Sequence, residues 1–199
     1  YVDRLSLQHL MSASDQGIYS ATVNLSESIA AIGVATSNVV LPHLSHQWET
    51  GRREEALSNL DLAIRVTAVC LLVIGSLLVA AGPMIIGWLL GTSYLPGAPA
   101  LPYLVIFHLF TISVWLFGTY PSLIEKTYIS SIGLACALPI NVALNLVLIP
   151  RVGIRGAAIA TMLSYLVMWT IVLVLCRKFG LKIRLATLVI SLTPLLLAL

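Results

Sequence analysis

Stretches long enough to cross a hydrocarbon layer recur along this chain, and almost no ionisable side chain falls inside them. A spanning helix needs about 20 predominantly apolar residues. Five complete runs of that kind cover about 17–44, 62–81, 100–120, 128–149 and 156–176, and a sixth begins near residue 183. Composition closes off the alternatives. Of the 199 residues 59% are apolar and 10% are charged, against roughly 25% charged in an ordinary soluble domain. A water-soluble fold of this length cannot hide so much apolar surface. A disordered chain has the opposite composition, poor in apolar residues and rich in charge. Cys70, Cys136 and Cys176 lie far apart inside apolar runs, so a disulfide scaffold is excluded too. The pattern predicts an all-α membrane protein, a polytopic bundle of five complete spans plus partial ones, with residues 1–199 forming one transmembrane region.

Gly and Pro punctuate the joints: Gly82-Pro83, the stretch from Gly91 to Pro99, and the stretch from Pro150 to Gly156. Residues 1–12 read as the tail of an earlier helix, with Ser14 and Asp15 in a short turn. Residues 84–90 are too few to span and read as an interfacial turn of helix beside the second span. The chain starts on Tyr1 without a basic leader and breaks off within an apolar run, so it reads as a piece of a longer protein. Lys and Arg in short loops stay on the cytoplasmic side. Arg52, Arg53, Arg65, Lys126, Arg177, Lys178, Lys182 and Arg184 fall on one side, eight in all, and Arg4, Arg151 and Arg155 on the other. That asymmetry puts loops 46–61, 122–127 and 177–182 in the cytoplasm and the protein in an inner or plasma membrane.

A helix that faces only lipid has no use for carboxamides or carboxylates, because each is costly in hydrocarbon without a partner. The first span departs from this in a patterned way. At 100° per residue Ser20, Asn24, Glu27, Ser28, Ala31, Ala35 and Asn38 fall in one narrow arc. Val23, Leu25, Ile29, Ile32, Val34, Val39 and Val40 fill the rest. The polar arc reads as the wall of a water-filled or substrate cavity; interhelical hydrogen bonding is the packing alternative. Glu27 is the one acidic residue well inside a span, suited to a proton or cation site or to a structural ion pair. Asn141 and Asn145, one turn apart in the fourth span with Pro139 opposite, either line a cavity or tie neighbouring helices together. His108 either handles protons and sugar hydroxyls or packs as a hydrogen-bonded side chain. Asp61 and Arg65 form an exposed helical pair, with Arg65 also able to meet an anionic headgroup. His43 and His46 sit at a membrane edge, and Gly156, Ala160 and Ser164 carry the small-residue spacing of close helix packing.

No HExxH, CxxC, GxxxxGK[ST] or GxSxG pattern occurs, and the eight acidic residues are scattered. The chain therefore reads as a transporter rather than an enzyme. No cofactor, metal or nucleic-acid partner is expected.

Several segments carry a family resemblance. Asp3-Arg4 followed by Gly17-Ile18-Tyr19-Ser20-Ala21 resembles the seventh-to-eighth helix junction of polysaccharide exporters that move lipid-linked oligosaccharides. The run from Asn141 through Pro150, continued by Gly153-Ile154-Arg155-Gly156-Ala157-Ala158-Ile159-Ala160-Thr161, is similar to that family's most recognisable segment. Leu41-Pro42-His43-Leu44-Ser45 with Gly51 resembles the lipid II flippase branch of the same superfamily, which also holds the multidrug and toxin extrusion transporters. The resemblance implies two pseudo-symmetric lobes of twelve to fourteen helices around a central cavity, this chain supplying most of the second lobe. It implies alternating access that flips a polyprenyl-diphosphate-linked oligosaccharide, often coupled to an ion gradient or membrane potential. The partners it implies are that lipid-linked substrate, membrane lipids, the missing N-terminal half, and a polysaccharide polymerase with glycosyltransferases. Family cavities are typically cationic, and no Lys or Arg lies in mid-span here, so those charges would come from the other lobe. A drug or cation antiporter of the same superfamily and a non-transporting scaffold of an assembly complex are the alternatives.

Overall fold

The computed structural model describes residues 2–198, with the side chains of Val2, Arg4 and residues 197–198 outside that description. Arg4, counted above among the cations of the sparser side, thus lies outside the described side chains. Among the described residues eight α-helices follow in chain order: α1 (Val2–Leu10), α2 (Ala13–Glu27), α3 (Ala30–Glu49), α4 (Arg53–Ile85), α5 (Leu101–Leu123), α6 (Tyr128–Val152), α7 (Ile154–Lys178) and α8 (Leu185–Leu192). A π-helical turn (Ile86–Leu90) extends α4, a 3₁₀ stretch (Thr92–Ala100) leads into α5, and another (Thr193–Ala198) follows α8. Five segments are long and apolar enough to cross a membrane: Ala13–Glu49, Arg53–Leu90, Thr92–Leu123, Tyr128–Val152 and Ile154–Lys178. The chain is an all-α, polytopic membrane bundle, as its apolar runs demand.

Helix α5 is the axis. From Leu101 to Pro121 every side chain except Trp115 is buried or half-buried. Helices α3 and α4 pack on one side of it and α7 on another, with α6 laid against α7 and α1 against α6. Trp169 of α7 wedges between Phe110 and Phe117 of α5, with ring centroids 5.9 Å apart in each pair. The outward flank of α4 shows Leu62, Val66, Val69, Val73 and Leu77, all exposed, a lipid-facing stripe at helical spacing. The tight α6–α7 reversal depends on two glycines. Gly153 adopts φ +63°, a conformation that costs a side chain-bearing residue. At Gly156 a Cβ would collide with the Leu148 carbonyl, so α6 and α7 touch backbone to backbone there.

Successive long helices run antiparallel, which gathers three connections at one end. There Trp48 meets Tyr120 edge-on at 6.2 Å, and the Tyr120 hydroxyl donates to the Phe179 carbonyl at 2.6 Å. Lys126 Nζ lies 3.8 Å from the Phe179 ring centroid, and Arg53 stacks over Trp48 at 5.2 Å. The cation-rich loops of the sequence therefore share one end of the bundle.

Three boundaries differ from the sequence reading. Ser14 and Asp15 lie in the first turn of α2, because Ser12 caps that helix: the Asp15 amide donates to Ser12 Oγ at 3.1 Å and the Ser12 amide donates to Asp15 at 3.2 Å. This reciprocal pair is a capping box. The second span does not stop at Gly82-Pro83. It runs on through residues 84–90 to Gly91. Gly82 lets α4 lie flat against Leu101, and spanning helices tolerate an internal proline when neighbours supply the packing. The first span is two helices joined at Ser28–Ile29. The Ser26 and Ser28 hydroxyls bond back to the carbonyls of Val23 and Leu25 at 2.8 and 2.7 Å. The Ile29 amide then reaches only to Ser26, at 3.2 Å. Hydroxyls that compete for carbonyls in this way loosen the regular ladder.

Candidate functional site

The break at Ser28–Ile29 leaves Glu27 as the last residue of α2, where it borders a cleft of about 350 Å³. One wall comes from α2 and α3 through Tyr19, Glu27 and Ala30, and the facing wall from α7 through Thr161 and Tyr165. Helix α5 is the floor, contributing Phe107, His108 and Thr111, and Asp3 of α1 closes the side. Tyr165 stands edge-on to Phe107 with centroids 4.5 Å apart, which fixes the facing wall. Two carboxylates and an imidazole thus border one cleft, and among the described side chains, which leave out that of Arg4, no Lys or Arg lines it. They do not close on a point. Among the described residues no three of His, Cys, Asp and Glu converge as metal ligands.

Glu27 is exposed and has no ion-pair or hydrogen-bond partner among the described residues. Asn24, Ser28, Ala31, Ala35 and Asn38 are exposed with it and Ser20 is half-buried, so the polar arc stands clear of the bundle's own core. The aliphatic side is less uniform than its spacing suggests. Ile29 is buried and Leu25, Ile32 and Val40 pack on the core, whereas Val34 and Val39 are exposed beside the polar residues.

His108 is buried at the cleft floor, and its Nε2 has no partner among the described residues. A buried imidazole nitrogen left so is costly.

Asn141 and Asn145 both point inward. Asn145 Nδ2 donates to Asn141 Oδ1 at 3.0 Å and to Asp3 Oδ1 at 2.9 Å. The pair ties α6 to α1 and, through Asp3, reaches the cleft. Asn145 Oδ1 stays buried without a partner among the described residues, leaving an acceptor oxygen beside a carboxylate.

The Asp61–Arg65 pair is a correction. It is not an exposed helical pair, because Asp61 is buried. One Asp61 oxygen accepts from Arg65 Nη2 at 3.1 Å. The other accepts from the Arg184 amide at 3.2 Å and from the Thr187 hydroxyl at 2.7 Å. The carboxylate therefore meets the N-terminus of α8, the end of a helix that favours negative charge. Arg65 serves this junction, far from the cleft.

Sequence reasoning missed Tyr19, Phe107, Trp115 and Tyr165 as lining residues and the pairing role of Asp3. Helical periodicity cannot reveal them, since each faces the cleft through contacts between helices distant in the chain. No family model matches the chain. No solved structure matches it. The chain is similar to the uncharacterized membrane protein MJ1068 of Methanocaldococcus jannaschii, with 25% identity over 173 residues, which cover 85% of this chain and 34% of that protein. It spans about a third of that relative's length. Fold and likeness together define an integral membrane protein of several spans.

Proposed function

We propose that this chain is the second lobe of a flippase that moves a polyprenyl-diphosphate-linked oligosaccharide across the cytoplasmic membrane by alternating access, serving cell-surface polysaccharide synthesis. The observation that carries the reading is the polar cleft between α2–α3 and α7, set within helices long and apolar enough to span and bordered by Glu27, which has no partner among the described residues, where the helical ladder lapses. A lapse of that kind is a mild form of the discontinuous helices by which many transporters expose polar groups to cargo. The family resemblance of the Asn141–Thr161 region adds the substrate class. In this reading the sugar head passes along the polar face while the polyprenyl tail stays in lipid, and the diphosphate is met by cations of the other lobe. Ion coupling falls to Glu27 and to the Asp3–Asn145–Asn141 cluster, whose oxygens suit a proton or a hard cation.

The acidic lining favours a second reading, a cation-coupled drug antiporter, because two carboxylates border the cleft with no Lys or Arg among its described lining side chains. One experiment separates the readings. The full-length protein is reconstituted in vesicles carrying a fluorescent polyprenyl-diphosphate disaccharide, and its exposure to an impermeant quencher is followed over time. A flippase equilibrates the probe between leaflets, and Glu27→Gln slows this severalfold. Movement of a cationic dye with no flipping establishes the antiporter instead. Movement of neither, with Asn24→Cys and Asn38→Cys shielded from an impermeant maleimide, leaves a scaffold.

A further inference from the structure

Trp115 is the one exposed side chain on α5 between Leu101 and Pro121, 44% exposed on an otherwise sequestered helix. It lies eight residues before the end of α5, roughly 12 Å along the axis at 1.5 Å per residue. Trp115 also borders the cleft described above and two further grooves toward the cation-rich end. The first, about 460 Å³, runs between α5 and α6–α7 past Ser130 and Ser131. The second, about 280 Å³, runs between α5 and α3 past Ser37, Asn38 and Ser122. Gly118 sits in both, one turn beyond the indole. A Cβ there would stand 3.4 Å from Ser130 Oγ, so the missing side chain keeps the first groove open.

The chemistry of these grooves differs from that of the acidic cleft. None of their lining side chains is ionisable. They offer hydroxyls and a carboxamide, groups that both donate and accept, around one broad aromatic face. Ser37 lines the second groove, and its Oγ is buried with no partner among the described residues. An uncharged ligand with an apolar face and a rim of hydroxyls satisfies all of this at once, and a sugar ring is such a ligand. A diphosphate would find no positive charge here among the described lining residues.

We infer that Trp115 is the stacking platform of a neutral-sugar site, entered from the cation-rich end, that receives the oligosaccharide head before it reaches the acidic cleft. The inference rests on the flippase reading and adds where the sugar binds. Because Trp115 borders all three spaces, a ring stacked on it lies at the junction between loading groove and outer cleft.

The test is photocapture in the full-length protein, in membranes of cells that make the glycan. Trp115→p-benzoylphenylalanine keeps an aromatic at the site. The same substitution at Trp88, 87% exposed beyond α4, reports the lipid side, and at Phe107 it reports the acidic cleft. After irradiation, periodate oxidation and a hydrazide tag reveal captured sugar on the protein. The expected result is a strong glycan signal at positions 115 and 107 and none at position 88. A second measurement reads capture at position 107, which falls severalfold with Trp115→Ala and is retained with Trp115→Phe. Glycan at 107 without glycan at 115 overturns the Trp115 site and leaves the flippase standing. Crosslinks at 115 to protein or to sugar-free lipid alone overturn it equally. Glycan at neither 107 nor 115 overturns both readings.

Discussion

Asp61 and Glu27 both sit on helices that cross the membrane, and they share little beyond their charge. Asp61 is buried and spends both oxygens on an arginine, a backbone amide and a hydroxyl. Glu27 is exposed at a helix break and meets no partner among the described residues. A carboxylate in hydrocarbon is tolerated only when matched or when it faces water. Asp61 is matched within the chain, whereas Glu27 is left without a partner among the described residues. Satisfaction, more than the presence of charge, is what divides the structural acid from the candidate functional one.

The largest effect that checks this contrast is on stability. Asp61→Ala strands Arg65 and uncaps α8, and removing one partner of a buried ion pair costs about 3–5 kcal/mol. Thermal unfolding of the purified protein should show a steep fall, with Asp61→Asn recovering part of it because the carboxamide still accepts from Thr187 and the Arg184 amide. A smaller loss follows Asn145→Ala, which deletes the tie between α6 and Asp3. Interhelical hydrogen bonds in membranes average about 0.6 kcal/mol, so the same measurement should register a modest drop. Glu27→Gln comes last. It should leave stability within about 0.5 kcal/mol of the parent, as for surface substitutions that disturb no contact, although transport slows. If Glu27→Gln unfolds the protein as readily as Asp61→Ala, Glu27 is a structural acid and the contrast fails.

The spans were legible because their signal is local: twenty apolar residues read the same wherever their neighbours lie. The Ser12–Asp15 cap was overlooked: Ser-x-x-Asp is a near relative of the capping-box pattern, yet Ser14 and Asp15 read as a turn instead of the first turn of α2. The break at Ser28–Ile29 was hidden, because serines at 26 and 28 fit an unbroken wheel as well as a loosened one. The site was visible only in part. Glu27 announces itself as an acid among apolar residues. The pairing of Asp3 with Asn145 spans 142 residues and that of Asp61 with Thr187 spans 126, and no periodicity carries such information. Trp115 was invisible for a related reason: among apolar neighbours an indole looks like core, and only the packed bundle shows it facing out.

The Asp61 junction has a consequence for biosynthesis. Its α8 contacts begin 123 residues downstream, so α4 enters the bilayer well before they are synthesised. Arg65, one turn away on the same helix, accompanies the acid from the outset and supplies a counter-ion during that interval. Loss of Arg65 should therefore be felt first as faulty insertion of the nascent chain, ahead of any defect in the finished protein.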